Sequence, residues 1–238
     1  QYSKFRGEAI SNITEYRMVV GALQYATITR PDISYSVNEV SQFMQKPLEA
    51  HWSAALRVVR YLKGTPDQGI MLKATCNMHI SAYCDADWSS CPTTRRSLSA
   101  YVVFLGDSLV SWRTKKQPTV SRSSAESEYR AMADTTCELK WLKKLTLMLG
   151  FTHDQPITLH CDSKSAIHIA TNPVFHERTK HVENDCHTTR DAVKAKFLRL
   201  EHISTKEQPA DLLTKALPTP TFQYLLFKLG IRDTSLPT

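Results

Sequence analysis

Two hydrophobic periods divide the chain. From Ser11 to Gln45 apolar residues recur at helical spacing, broken once by the turn Thr29-Arg30-Pro31-Asp32, and Pro47 ends the run. A further helix is predicted from about Leu48 to Lys63, where Trp52, Ala55, Leu56, Val59 and Leu62 recur at i, i+3, i+4 as one buried stripe. Gly64 follows, where a left-handed cap belongs. From residue 78 the period falls to two. HISAYCDADW, SLSAYVVFLGD and SLVSWRTKKQ read as three strands, the last two joined by the turn Gly106-Asp107-Ser108. A long helix is then predicted from Ser121 to Gly150, with Tyr129, Met132, Ala133, Thr136 and Cys137 as its buried stripe. PITLHCDSKSA reads as a strand entering a short helix at Lys164 to Thr171. KHVENDCHTTRDAVKAKF is a helix, FLRLEHIST a fifth strand, PADLLTKAL a short helix begun by Pro209, and TFQYLLFKLGI an amphipathic helix folding back on the body.

Three consecutive strands predict an antiparallel meander, and two more reached through helices predict parallel neighbours. The expected fold class is α/β, a mixed five-stranded sheet flanked by helices, preceded by a helical segment. The expected division is 1–77 helical, 78–217 the sheet domain, and 218–238 a C-terminal helix and tail.

Composition narrows the classes. Hydrophobic residues at 42% and charged residues at 22% are those of a globular chain and exclude a disordered or fibrous one. No apolar run is long enough to span a bilayer, and the first residues lack the apolar stretch of a secretory signal, so no membrane partner is expected. A net charge of +7 favours a polyanionic partner. The six cysteines, at 76, 84, 91, 137, 161 and 186, form no C-x-x-C pair and are expected to be reduced thiols in an intracellular protein. The chain begins at Gln1 without an initiator Met, which reads as a piece of something longer.

Four carboxylates occupy special places in this layout. Asp85 lies near the end of the first strand of the meander and Glu128 in the first turns of the long helix. Asp162 ends the fourth strand, and Asp211 starts the short helix after the fifth. In a mixed sheet the ends of central strands and the helix starts beside them converge on one rim. Four converging carboxylates repel one another unless cations intervene, and oxygen ligands select Mg²⁺ or Mn²⁺ over zinc. Any one of these acids, taken alone, is more often a helix cap or a surface group than a metal ligand; what singles them out is that all four lie in one topological pattern. Asp87 shares the face of Asp85 two residues further along. Glu126 and Glu128 point roughly 160° apart on their helix, so only one can reach the cluster.

The strings AYCDADW, SWRTKKQPTVSRSSAESEYRAMA, LHCDSKSAI, ERTKHVENDCHTTRD and QPADLLTKAL resemble the ribonuclease H domain of copia-type LTR retrotransposon polyproteins. EYRMVVGALQYATITRPDISYSVNEVSQFM and HWSAALRVVRYLKGT resemble the tail of the reverse transcriptase before it, its thumb or connection. The resemblance implies a ribonuclease H-like fold and an Asp-Glu-Asp-Asp tetrad on Asp85, Glu128, Asp162 and Asp211, holding two Mg²⁺ ions for which Mn²⁺ can substitute. It implies hydrolysis of the RNA strand of an RNA–DNA hybrid, with the polymerase part of the polyprotein as a second partner. It also implies residence in the cytoplasm, the nucleus or a retrotransposon particle. Glu183 and Asp185 compete with Asp211 for the fourth position, but they precede the fifth strand, whereas the fourth acid of the fold follows it. The mobile His that many cellular ribonucleases H carry before that acid has no counterpart in the loop STKEQPA; His202 lies on the strand before it.

Around the tetrad, Ser123, Ser124 and Ser163 are placed to read 2′-hydroxyl or phosphate groups, and Ser123 or Ser124 equally to cap a helix. Arg113, Lys115 and Lys116 cluster beside Trp112 as a candidate backbone contact, with Arg178, Lys180 and His181 for the other strand. Arg57, Arg60 and Lys63, off the apolar stripe of their helix, are either a solvated face or a rail along phosphates. A non-catalytic hybrid-binding or scaffolding fragment is the alternative function. A transposase or integrase fits less well, because its carboxylate set ends in Glu. No polymerase Y-x-D-D turn is present; Tyr83-Cys84-Asp85-Ala86-Asp87 belongs to the strand.

Overall fold

The computed structural model describes residues 7–74, 77–172 and 183–235, with only the backbone described at 183–186. Three helices come first: α1 (Ile13–Ala26), α2 (Ser34–Ser41), entered through a 3₁₀ turn at Pro31–Ile33, and α3 (Glu49–Gly64). A short strand β1 (Gln68–Ile70) leads to the meander β2 (Ile80–Asp87), β3 (Leu98–Leu105) and β4 (Ser108–Lys116). Then follow α4 (Ser124–Met148), β5 (Ile157–Cys161), α5 (Lys164–Thr171), α6 (Glu183–Lys194) and β6 (Leu198–His202). The chain closes with α7 (Asp211–Thr214), α8 (Thr219–Lys228) and β7 (Ile231–Asp233). No helix among the described residues is long and apolar enough to cross a membrane.

The sheet order is β4-β3-β2-β5-β6. β2, β3 and β4 pair antiparallel, and β5 pairs parallel to both β2 and β6, as the crossovers require. This is the expected α/β architecture of a ribonuclease H-like fold. Strand alternation decides which helices each face receives. On β2, Ala82, Cys84 and Ala86 join Tyr129, Met132 and Leu139 of α4 in one buried cluster, which α5 and α6 complete. Tyr83 faces the other side, where Ala100, Val102 and Phe104 of β3 meet Leu212, Leu213, Leu225 and Leu229. Asp85 and Asp87 share the phase of Tyr83, so both belong to the face that carries α7.

Several local expectations need correction. On α3 the buried residues are His51, Ala54, Ala55 and Val58, while Val59 is 38% exposed. His51 sets this rotation: its Nδ1 accepts the Leu48 N–H at 2.9 Å and its ring stacks on Phe43 at 3.8 Å. Gly64 is the last residue of α3 and has no positive φ. The helix end is instead satisfied by Arg30, whose guanidinium donates to the Thr65 carbonyl (2.9 Å) and hydroxyl (2.8 Å). On α4 Cys137 is exposed, and its place on the buried face goes to Thr135. Thr135 and Thr136 tolerate burial because their hydroxyls donate to the carbonyls of Ala131 and Met132 at 2.6 and 2.7 Å. Gly150, at φ +89°, does end that helix region as expected, and Gly106, at φ +58°, makes the β3–β4 turn. Two elements were not expected: the short strands β1 and β7 pair antiparallel, so the chain's last described strand closes on the segment leaving the N-terminal helices.

Candidate active site

β2 delivers Asp85 to the sheet rim at 1% exposure. Both of its carboxylate oxygens are engaged from α7 and the residue after it. The Thr214 hydroxyl donates to Oδ2, and the Lys215 ammonium lies 3.2 Å from Oδ1. The same ammonium lies 2.7 Å from Asp211 Oδ1, one helical turn earlier. Glu128 approaches from α4 on the opposite face and accepts the Ala86 N–H at 3.2 Å, next to Asp85 in the chain. Asp162, just past β5, accepts from the Thr205 hydroxyl at 2.8 Å. The four sequence-derived acids thus come from four elements to one rim. Asp87 stays half-buried beside them, and burial raises its carboxyl above the usual range, with Lys215 opposing and Asp85 and Glu39 adding to the rise.

Supporting contacts fix these positions. Gln208, fully buried, donates from Nε2 to the Cys84 carbonyl at 2.9 Å and anchors the loop after β6 to the residue before Asp85. Gln117, also buried, donates to Ser99 Oγ (2.7 Å) and the Ser127 carbonyl (2.9 Å), which pins the start of α4 and with it Glu128. Glu126 is turned elsewhere, as its helical angle to Glu128 requires: it accepts the Arg122 N–H at 2.8 Å and pairs with Arg130 at 2.9 Å.

Electrostatics follow from burial and like charge. Glu128 is pushed up to about 10, first by burial, then by the Asp85 charge. Asp211 is pushed up to about 7 by burial and Asp85, with Lys215 opposing. Burial alone would lower the Lys215 ammonium, but Asp85 and Asp211 outweigh it and hold it above the ordinary lysine value. A carboxylate raised in the folded state binds more protons there than in the unfolded chain. Its contribution to stability is therefore lost as pH rises through the folded value. Without divalent ions, the melting temperature is expected to fall as pH rises above the ordinary carboxylate range, Asp211 adding to the fall up to about 7 and Glu128 on to about 10. Glu128→Gln should flatten the upper part of that slope, and melts in chelator across this range check it. An equal slope in the variant would remove Glu128 as its source.

Sequence reasoning missed Thr205, Gln208, Thr214, Lys215 and Cys161. The Cys161 thiol has a ligand atom within 4.8 Å of those of Glu128 and Asp162, so the oxygen donors have one soft neighbour that the sequence reading did not include. Its only signal was adjacency to Asp162. Lys215 carried a clearer one, at i+4 from Asp211 on a predicted helix.

The surrounding candidates separate. Ser123 caps α4, accepting from the Glu126 N–H at 3.2 Å, which is the capping alternative; Ser163, read from sequence only as a nucleic-acid contact, also caps its helix, accepting from the Ala166 N–H at 3.2 Å, and Ser124 is exposed on the first turn of α4. Arg113, Lys115 and Lys116 do not form one cluster. Strand alternation leaves Arg113 and Lys115 exposed on the phase of Ser111, which bonds Glu138 of α4. Lys116 turns to the other face, where it meets Gln42 and the Cys91 sulfur. Trp112 shares that second face and donates to the Thr27 carbonyl at 3.0 Å. Arg57, Arg60 and Lys63 are exposed on α3. Arg178, Lys180 and His181 lie outside the described residues, as do the side chains of Glu183 and Asp185. The described cysteines, Cys84, Cys91, Cys137 and Cys161, are free thiols.

The chain matches no protein-family model. It is 45% identical over 225 residues to the retrovirus-related Pol polyprotein from transposon RE2 of Arabidopsis thaliana, a match covering 94% of this chain and 16% of the polyprotein. It is 37% identical over 219 residues to that from transposon TNT 1-94 of Nicotiana tabacum, covering 92% of this chain and again 16% of the relative. Among solved structures, LC11-RNase H1 matches at TM-score 0.43 and 13% identity, covering 63% of this chain and 99% of that one. Near-complete coverage at these identities, by polyproteins of which the chain spans only a small part, places it: the chain belongs to the copia-type retrotransposon Pol polyproteins, as a segment with a ribonuclease H-like fold.

Proposed function

We propose that the chain hydrolyses the RNA strand of RNA–DNA hybrids endonucleolytically, with Asp85, Glu128, Asp162 and Asp211 holding divalent ions, Mg²⁺ or Mn²⁺. The observation that carries the reading is the convergence of four carboxylates on one rim of an otherwise basic chain, with Glu128 pushed up to about 10. A buried carboxyl at that value stays protonated at neutral pH unless a cation lies against it, and the donor set, oxygen from four acids, suits hard divalent ions. When bound, such ions supply an activated water and stabilise the leaving oxygen at phosphorus. The chain's own part is to hold the acids. Asp85 is fixed through the Gln208–Cys84 contact and by Thr214, Asp162 is aimed by Thr205, and Glu128 is seated on the Ala86 N–H.

The exposed Arg113 and Lys115, with Ser124, are proposed to meet the nucleic-acid backbone, as are Arg178 and Lys180. The free, buried thiols of Cys84 and Cys161 fit a reducing intracellular compartment. A labelled RNA–DNA hybrid incubated with the full chain should be cut in Mg²⁺ or Mn²⁺ and left whole in chelator. Full cleavage in chelator would sink the metal-dependent reading. Binding without cleavage in either ion would favour the silent hybrid-binding fragment, which the ammonium already lying between Asp85 and Asp211 also suits.

A further inference from the structure

The carboxylate cluster is not evenly compensated. On one side Lys215 lies 3.2 Å from Asp85 and 2.7 Å from Asp211. On the other, Glu128 is met by a backbone N–H and the Cys161 thiol, and Asp162 by the Thr205 hydroxyl, all neutral groups. Asp85 is at the hinge of this asymmetry. With Thr214 on Oδ2 and Lys215 on Oδ1, neither of its oxygens is without a hydrogen-bond donor.

We propose that Lys215 is a built-in cation that occupies the Asp85–Asp211 side of the cluster and competes with a divalent ion for it, so that the two metal positions load with unequal affinity. The proposal rests on the reading that the cluster holds divalent ions. The physical argument is one of exclusion. An ammonium and a divalent ion cannot share the same carboxylate oxygens at contact distance, because like charges that close repel strongly even at a surface dielectric. An ion arriving beside Asp85 and Asp211 must therefore move Lys215 off both. The Glu128–Asp162 side presents no such cation and loads first.

The geometry allows the displacement. The Lys215 side chain is 31% exposed, whereas Asp85 is 1% exposed, so the ammonium covers the acids from the solvent side and can leave by that side on its flexible stem. Its position is set by register: Lys215 follows Asp211 by four residues and Thr214 by one. A single short turn thus delivers both a neutral donor and a charged donor to Asp85.

Mn²⁺ alone, titrated calorimetrically into the full chain, tests this without any cleavage step. The wild-type chain should show one tighter and one weaker Mn²⁺ site. Lys215→Met should tighten the weaker site by about tenfold or more, which is about 1.4 kcal/mol, and leave the tighter site within about threefold. It should also lower the melting temperature of the metal-free chain. Lys215→Arg keeps the charge and should keep the weak site as in wild type. If Lys215→Met does not fold, Lys215→Gln, which keeps a donor to Asp211 but no charge, carries the same expectation. Two Mn²⁺ affinities unchanged in the neutral variants would overturn the proposal and leave the hydrolytic reading standing. A folded wild-type chain that binds no Mn²⁺ would overturn both.

Discussion

Asp162→Asn is expected to cut cleavage of an RNA–DNA hybrid by roughly 10²-fold or more while leaving the fold intact. The substitution keeps the shape of the side chain and one carbonyl oxygen to accept from the Thr205 hydroxyl, now at 2.8 Å. What it removes is one charge from a cluster whose other members already strain against one another, since Asp85 and Asp162 both help to push Glu128 up. Relieving that repulsion should hold or raise the melting temperature of the metal-free chain and lower its divalent-ion affinity. Loss of activity with unchanged or higher stability separates a metal-holding role from a packing role, which would lower both. Asp211→Asn and Glu183→Gln extend the test to the fourth position. Asp211 shares the Lys215 ammonium with Asp85, so its neutralisation should also cost cleavage by orders of magnitude. Glu183→Gln should leave activity within a few-fold of wild type. The reverse pattern would move the fourth acid to Glu183.

The acids were legible because chain order and strand alternation are local rules. The period-two run around Tyr83-Cys84-Asp85 fixes which face Asp85 takes, and the phase between Glu126 and Glu128 lets only one of the pair reach the cluster, the resemblance naming Glu128. Gln208, Thr205 and Thr214 were not legible, because their roles depend on where a loop lands after two crossovers. Nothing in STKEQPA states that Gln208 will be buried against the Cys84 carbonyl, 124 residues away in sequence. The rotation of α3 was hidden for a similar reason. His51 reads as polar, yet a backbone donor and the Phe43 ring make it part of the buried face. β7 escaped because a three-residue strand shows no periodicity and exists only through its partner β1. The basic residues of β4 misled in another way. Adjacency in sequence suggested one patch, but adjacent residues of a strand point to opposite faces, which is how Lys116 parts from Arg113 and Lys115.

Removing residues 1–76 is expected to destabilise the remainder and silence its site, even though every tetrad residue is retained. The expected division at residue 77 cuts through contacts that hold the sheet's outer face. Trp112 of β4 donates to the Thr27 carbonyl at 3.0 Å, and the Lys73 N–H to Ser108 Oγ at 2.9 Å. The Met71 N–H donates to the Gly230 carbonyl at 2.8 Å, as does the Thr234 N–H to the Asp67 carbonyl. At about 1 kcal/mol each these four hydrogen bonds amount to roughly 4 kcal/mol, before any apolar surface is counted. For a chain of this size that is a fall in melting temperature of roughly 8–16 °C. The loss should reach the chemistry through α7. This four-residue helix is too short to persist alone; it packs against α2 and the 3₁₀ turn as well as against β3, and it carries Asp211 and Thr214, with Lys215 directly after it. A phosphate rail on α3 would behave differently. Substituting Arg57, Arg60 and Lys63 together by Gln in the full chain leaves all of these contacts in place, because the three side chains are exposed. If they touch the hybrid, each lost contact should flatten the log–log salt dependence of binding by roughly one unit with the melting temperature unchanged. The expected pattern is therefore a truncated chain that melts early and does not cleave, beside a triple variant that melts normally and cleaves. A truncated chain that melts as the full one does and still cuts hybrid would show that 1–77 is separable, and would leave the salt slope of the triple variant to decide whether that segment binds nucleic acid at all.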